Sequence, residues 1–377
     1  MGVIIKQVVN KQERRKFVKF NIELYKGNPY HVPGLIDEEM MTLDKDRNPA
    51  FEIGEGICFL AYRDDKIVGR IAGLINYRSN EVWKQKRARF GFVDFIDDNE
   101  VVDALFGAVE NWAKEKGMDE LHGPLGFTDL DHEGMLVHGF DQVGTMATIY
   151  NYPYYPVHME RMGYEKEQDW KEFKIYIPDE IPEKHLRIGE IVKKKYGLKT
   201  MKFKNRKEIW PYAYKIFHAL NVAYSPLYGF APLTDKQISY YVNMYIPMIR
   251  LDMVTVIIRE ADDAVVGFGI TLPNLSRALQ KAKGRIFPFG IIPLLRALKS
   301  NPKVVDLYLT GVLPEYQGKG VNALLFNDLI PVYIKVGTEY AETNPELETN
   351  NAVQAQWDYF KREHHKTRRA FKKELKS

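Results

Sequence analysis

The chain has 377 residues, 45% hydrophobic and 28% charged, which suits two ordinary globular domains and excludes a disordered chain. Its 54 basic and 50 acidic residues leave a net charge of +4, too little to argue for nucleic acid by charge alone. One cysteine, Cys58, excludes an intramolecular disulfide framework, and no apolar run reaches the ~20 residues of a membrane-spanning helix.

In chain order, Ile4–Val9 reads as a strand and Gln12–Tyr25 as a helix. Cys58 falls within the next strand-like run, Gly56–Tyr62, as a buried and unreactive thiol. The turn Arg63-Asp-Asp-Lys66 joins that run to Ile67–Asn76. A strand at about Phe90–Ile96 precedes the helix Glu100–Lys116, which Gly117 caps, and Glu120–Gly123 is the next strand. The order then repeats. A strand at about Leu198–Phe203 and the helix Glu208–Tyr224 lead to the strand pair Met253–Arg259 and Ala264–Leu272. Asp-Asp-Lys-Ile-Val-Gly-Arg at 64–70 and Asp-Asp-Ala-Val-Val-Gly-Phe at 262–268 are the clearest echo. The Pro-rich, acidic segment Pro178–Glu183 is the expected boundary, giving domains 1–178 and 184–377 of mixed α/β type.

The most informative stretch is Asp306–Ile330, which reads as a strand, a glycine-bearing turn and a helix. Gln317, Gly318, Lys319 and Gly320 sit where that helix begins. Backbone N–H groups there lack intrahelical partners, and the helix dipole favours negative charge. The turn therefore reads as a phosphate cradle. It lacks the spacer and the Ser or Thr of a Walker loop. Gly318, Gly320 and Ala323 match a dinucleotide fingerprint, but about 55 residues remain, too few for the strand–helix units such a domain requires.

Val312-Leu-Pro-Glu-Tyr-Gln-Gly-Lys-Gly-Val321 closely resembles the pyrophosphate loop of the GNAT acyl-CoA N-acyltransferases. The helix 321–336, a strand around Thr338–Thr343, an Asn-rich turn and a helix from Ala352 also fit that family. One position departs from it. Asn322 stands where the family carries Gly or Ala, and its side chain would either crowd the pyrophosphate or donate a hydrogen bond to it. Over nearly the whole chain the layout resembles tandem-GNAT proteins. In the first half, Asp97, Asp98, Glu100 and Asp103 occupy the turn equivalent to the cradle, where they would repel a pyrophosphate. The first copy is therefore expected to be degenerate.

The resemblance implies an acyl-CoA, acetyl-CoA first, as co-substrate, with no metal, and acyl transfer to a small-molecule or peptide amine. It places CoA on Gly311, Val312 and Leu313 of the strand and on Gln317, Gly318, Lys319, Gly320, Val321 and Asn322 of the loop. Asn351, with Asn344 second, would face the pantetheine arm, and Tyr359 would be the acid. On the strand, alternation puts Asp306, Tyr308 and Thr310 on one face and Leu307 and Leu309 on the other, making Asp306 or Tyr308 the candidate base. The alternatives are a GNAT fold without catalysis, acting as a ligand-binding or scaffold protein, and a tRNA-dependent aminoacyl transferase.

Three further segments carry expectations. Ser276–Ser300 flanks an apolar stretch with basic residues, as a lining for a long acyl chain, a peripheral membrane contact or two packed helices would. The basic tail from Lys361 reads as a solvated closing strand or helix, and nucleic acid is not the expected partner. Asp129-Leu-Asp-His-Glu-Gly134 and the Tyr/Pro run that follows read as a substrate-facing loop or a packed surface loop. The opening residues Met1–Lys6 hold no secretory h-region, so the expected location is the cytoplasm.

Overall fold

The structure is a computed structural model that describes residues 2–375. The first repeat begins with strand β1 (Ile4–Gln7), helices α1 (Lys11–Leu24) and α2 (Ile36–Thr42), and the hairpin β2 (Gly54–Arg63) and β3 (Lys66–Asn76). Helix α3 (Tyr77–Trp83), strand β4 (Arg87–Phe95), helix α4 (Asn99–Glu115) and strand β5 (Glu120–Gly123) come next. Strand β6 (Met135–His138), helix α5 (Tyr154–Arg161) and strand β7 (Glu165–Tyr176) close the first half.

The second half runs through helix α6 (Glu183–Tyr196), strand β8 (Leu198–Met201), helices α7 (Arg206–Ala223) and α8 (Asp235–Tyr245), and the hairpin β9 (Val254–Arg259) and β10 (Ala264–Pro273). Short helices α9 (Ser276–Ala282) and α10 (Ile291–Lys299) precede strand β11 (Val304–Val312), helix α11 (Asn322–Val336) and strand β12 (Tyr340–Thr343). Strand β13 (Glu346–Leu347), helix α12 (Asn351–Ala355) and strand β14 (Arg362–Glu374) end the described chain.

Local chemistry explains the repeated parts. Asp64 and Asp65 adopt φ of 50° and 60°, the left-handed pair that a two-residue hairpin turn requires and that Asp tolerates. Arg63, beside that turn, makes two hydrogen bonds of 2.7 and 3.0 Å to Asp98, whose carboxylate also accepts from Val101 N–H and caps α4. In the second repeat Asp263, at φ 57°, turns the hairpin, while Asn205 caps α7 and Thr234 forms a capping box on α8.

Strand pairing runs in the same sequence twice. In one unit the order is β1-β2-β3-β4-β5, in the other β8-β9-β10-β11-β12, antiparallel throughout except for the parallel last pairs β4/β5 and β11/β12. A sixth strand then joins each by an antiparallel ladder. The chain's final strand β14 pairs with β5, whereas β7, from the end of the first half, pairs with β12. The units accordingly interleave, as Met1–Lys171, Ser276–Leu294 and His365–Ser377 against Glu172–Leu275 and Leu295–His364. Division into 1–178 and 184–377 misses this, because a strand belongs to the sheet that satisfies its backbone, whatever its place in the chain.

The tail is a strand, and beyond the exposed residues Arg362–His364 it is largely buried, not solvated. Lys366 and Arg368 are each 1% exposed, and Ala370 and Phe371 are buried with them. Arg368 donates to the carbonyl of Ile149, Arg369 grips Asp169 with two bonds of 2.8 and 3.0 Å, and Lys373 pairs with Glu110 at 2.8 Å. Those cations are engaged inside the first unit. The reading of a basic solvated face is corrected here: β14 is an inner strand, and its polar ends are satisfied by carbonyls and carboxylates. Cys58 is half-buried, not buried as expected, and desolvation pushes its thiol up to about 12.

A buried charge network ties helices to the sheet of the first unit. Arg70 on β3 donates to Asp94 at 2.6 Å and Glu39 at 3.1 Å, and to the carbonyl of Phe17 at 3.2 Å. Removing the arginine would strand two carboxylates in the interior. Arg70→Ala is expected to destabilise the protein by about 3–5 kcal/mol in urea denaturation, far more than an exposed Arg→Ala change.

Candidate active site

In the second unit the parallel pairing of β11 with β12 stops at Leu307 opposite Thr343, so the rest of β11 has an open edge. On its other side β11 stays paired with β10, and Leu313 N–H continues that ladder to the Val266 carbonyl at 2.9 Å. Alternation of an antiparallel pair then turns the N–H and C=O groups of Thr310 and Val312 toward the open edge. Gly311 and Leu313, expected on the same surface, point their N–H groups into β10 instead.

Side chains cover the acceptors of that edge. Asn344 donates to the Tyr308 carbonyl at 2.7 Å, Tyr224 Oη to that of Thr310 at 2.9 Å, and Gln317 Nε2 to that of Val312 at 2.9 Å. The donors of Thr310 and Val312 face outward. Asn344, not Asn351, is the amide at this edge. Asn351 is an exposed first residue of α12, and its neighbour Asn350 caps that helix. Tyr224, at the end of α7, had no signal in the sequence.

Beyond Val312 the chain turns through Pro314–Tyr316 and enters α11. Gly318 and Gly320 have φ of 69° and 79°, the left-handed region that aligns successive N–H groups along one side of a turn. The N–H groups of Gly318, Gly320, Val321 and Asn322 find no acceptor among the described residues. Tyr316 anchors the loop: it is buried, packs near Val192 and Leu324, and receives a 3.1 Å hydrogen bond from Arg259. Lys195 and Lys319 place their ammonium groups 5.3 and 5.5 Å from the centre of one ring, Tyr196, and concentrate positive charge beside the turn.

The expected alternation along β11 fails at one residue. Ile270 pairs with Leu309 and Thr271 with Leu307, so Tyr308 is the extra residue of a β-bulge. Tyr308 and Leu309 consequently line the same apolar pocket, together with Ile209, Ile216, Phe217 and Val242 from α7 and α8. Asp306 is buried and accepts from Asn274 at 2.8 Å, roughly 20 Å along the strand from Val312. Tyr359 is 51% exposed and bonded to Lys184 at 3.0 Å, with its ring against His185. Of the three catalytic candidates only Tyr308 lies in the pocket wall.

The first unit presents the same edge, closed. Ile96 N–H donates to Val68, as Leu313 does to Val266, which makes Phe95 the counterpart of Val312. Phe95 N–H donates to Tyr155 Oη at 3.0 Å, and Tyr154 Oη donates to the Phe95 carbonyl at 2.7 Å. Both groups are thus occupied by α5. Next to β4 a polar pocket holds His31, Asn21, Arg70 and Asp94, linked by hydrogen bonds of 2.6 to 3.1 Å. Burial, then Arg70, pushes His31 down to about 3, so its imidazole is neutral. Asp129, Asp131, His132 and Glu133 do not converge as metal ligands among the described residues.

This is the tandem GNAT fold: two mixed α/β repeats, each with a bulged fourth strand that parts from the fifth. Among solved structures, a tandem GNAT protein from the clavulanic acid biosynthesis pathway matches 100% of this chain and 99% of its own, with a TM-score of 0.55 at 13% identity. A GCN5-related N-acetyltransferase from Sphaerobacter thermophilus matches 100% and 96%, with a TM-score of 0.52 at 11% identity. In sequence the chain is 28% identical over 99% of its length to Protein YghO of Escherichia coli strain K12, covering 95% of that protein. It is 27% identical over 96% of its length to a bacterial ceramide synthase of Caulobacter vibrioides, again covering 95%. No family model matches the chain. Among the described residues no helix is long and apolar enough to cross a membrane.

Two measurements test this geometry. Gly320→Ala would combine left-handed backbone with a Cβ 2.8 Å from Ile188 Cγ2, whereas a Cβ at Gly318 meets nothing within 4 Å. Gly318→Ala should therefore cost about 1–2 kcal/mol and Gly320→Ala about 1–3 kcal/mol more in denaturant unfolding. Glu346, half-buried and bonded to Trp357 Nε1 at 2.8 Å, has its carboxyl pushed from 4.5 to about 8, first by desolvation. The folded state then holds a proton that the unfolded state has lost. Stability falls as pH rises between those values, and Glu346→Gln should flatten that slope in unfolding curves taken across it.

Proposed function

We propose that the protein is an acyl-CoA-dependent N-acyltransferase whose second unit carries the CoA thioester. The observation that carries this reading is the open Val312 N–H on a strand edge that leads directly into the N–H-lined turn 318–322. A pyrophosphate seated on that turn would be held by Gly318, Gly320, Val321 and Asn322 N–H groups, with Lys319 and Lys195 as counter-charges. Asn322, at the first position of α11, would add its own amide as a donor. The pantetheine arm would then run along the edge of β11 past Thr310 and Asn344. The closed Phe95 edge and the carboxylates of Asp97, Asp98 and Glu100 support a first unit that binds no CoA.

In the transfer step the amine nitrogen attacks the thioester carbonyl carbon and a C–N bond forms. Charge moves onto the carbonyl oxygen, where Val312 N–H is the oxyanion donor. Collapse of that intermediate breaks the C–S bond and releases the CoA thiolate, which takes up a proton as the new amide sheds one. Tyr308, four residues and about 13 Å along the strand from Val312, would act through a held water that takes the amine proton. The apolar pocket behind Tyr308 and Leu309 favours an acyl chain longer than acetyl. A ceramide is a long-chain amino alcohol acylated on nitrogen, so the name of the Caulobacter relative points toward a fatty acyl donor and a lipid amine.

Calorimetric titration of CoA and of acyl-CoAs of increasing chain length tests both parts. Affinity should rise with length by about 0.8 kcal/mol per buried methylene until the pocket is filled. Gly318→Asp, which the left-handed backbone tolerates, puts a carboxylate at the pyrophosphate turn and should weaken every member of the series at least tenfold. Absence of binding by any CoA ester to the folded wild type would overturn the reading. Equal affinities for acetyl-CoA and longer esters would overturn the assignment of the pocket alone.

A further inference from the structure

We propose that the turn at 286–290, between α9 and α10, is a docking site for an anionic membrane surface. Phe287 is 75% exposed and Phe289 77% exposed, two residues apart in the turn, and Ile292 is 44% exposed just beyond them. Two nearly bare aromatic rings on one turn are far from the scattered apolar exposure of an ordinary surface. The segment is also charged with one sign. Between Ser276 and Ser300 there are six basic residues and no acidic one. Lys281, Lys283 and Arg285, on the approach to the tip, are exposed, and their side chains pair with no carboxylate among the described residues.

The tip stands on a fixed base. Ser276, Ala278, Leu279 and Ala282 are buried, and Ser276 Oγ donates to the Gly144 carbonyl at 2.8 Å. Gln280 Nε2 bridges the carbonyls of Pro29 and His31 at 2.9 and 3.0 Å, and the Gly284 carbonyl accepts from Ile36 N–H at 2.9 Å. These bonds lie within the first unit and hold the segment by its root, so the apolar residues that could have packed inward have already done so. The rings of Phe287 and Phe289 are left to solvent. Basic side chains flanking exposed aromatic groups match a bilayer with negative headgroups: the cations meet phosphate, and the rings enter the boundary of the acyl region. A spanning helix is not involved, since the apolar stretch is too short.

The test is co-sedimentation of the full chain with vesicles of phosphatidylcholine alone and of phosphatidylcholine mixed with phosphatidylglycerol. Binding to the mixed vesicles is expected, with a loss of at least tenfold on neutral vesicles or in high salt, where the charges are screened. Phe287→Ser/Phe289→Ser should lose at least tenfold on the mixed vesicles, and because both rings are exposed the variant should keep the wild-type melting temperature. Lys281→Gln/Lys283→Gln/Arg285→Gln should reduce the lipid-charge dependence. Failure of the wild type to sediment with mixed vesicles, or an unaltered double serine variant, would overturn the proposal. So would a change in sedimentation coefficient on serine substitution without vesicle binding, which would assign the tip to a second copy of the chain. Vesicle binding is read without any CoA ester, so its outcome and that of the acyl-transfer reading are independent.

Discussion

Every backbone N–H and C=O that leaves a β-ladder must find another partner or face solvent. That constraint shapes this protein at one place in each repeat, where the fourth strand outruns the fifth. In the second unit β12 ends opposite Leu307, and five further residues of β11 are left with an unpaired side. The bulge at Tyr308 adds twist at the same point and turns consecutive side chains into one pocket. Pocket, open edge and glycine turn follow one another because they answer the same local mismatch.

The two repeats resolve it differently. In the first, Tyr154 and Tyr155 supply a donor and an acceptor to Phe95, and both backbone groups of that residue are satisfied. In the second, Asn344, Tyr224 and Gln317 supply donors only, so the carbonyls are satisfied and the N–H groups are not. An edge left with donors favours an electron-rich guest, as does the helix start beside it. One backbone geometry is thus closed by side chains at Phe95 and left with outward donors at Val312. The difference lies in which side chains the neighbouring helices bring.

Exchange of the final strands has a comparable logic. Each repeat leaves a place beside its fifth strand, and each is filled by the strand that ends the other repeat. The exchange converts a basic, outwardly unremarkable tail into an inner strand. Lys366 and Arg368 are tolerated there because the backbone carbonyls of Val143 and Ile149 in the first unit receive them.

The sequence by itself determined the repeated strands and helices and the glycine turn before α11, because these depend on short-range chemistry. Asp64–Asp65 and Asp263 specify turns, Gly117 and Gly337 stop helices, and Gly318 and Gly320 are the residues that accept the left-handed backbone. A difference between the copies was legible in the carboxylates of Asp97, Asp98 and Glu100, which stand at the turn where the second copy has Gly318 and Gly320. Tertiary structure alone decided the rest. A bulge depends on pairing register, so no pattern within β11 could reveal that Tyr308 and Leu309 share a pocket. Partners far apart in sequence, such as Tyr224 and Thr310 or Tyr154 and Phe95, are set by helix packing. Likewise the place of β14 depends on which sheet has an edge to offer, a property of the folded units and not of the strand.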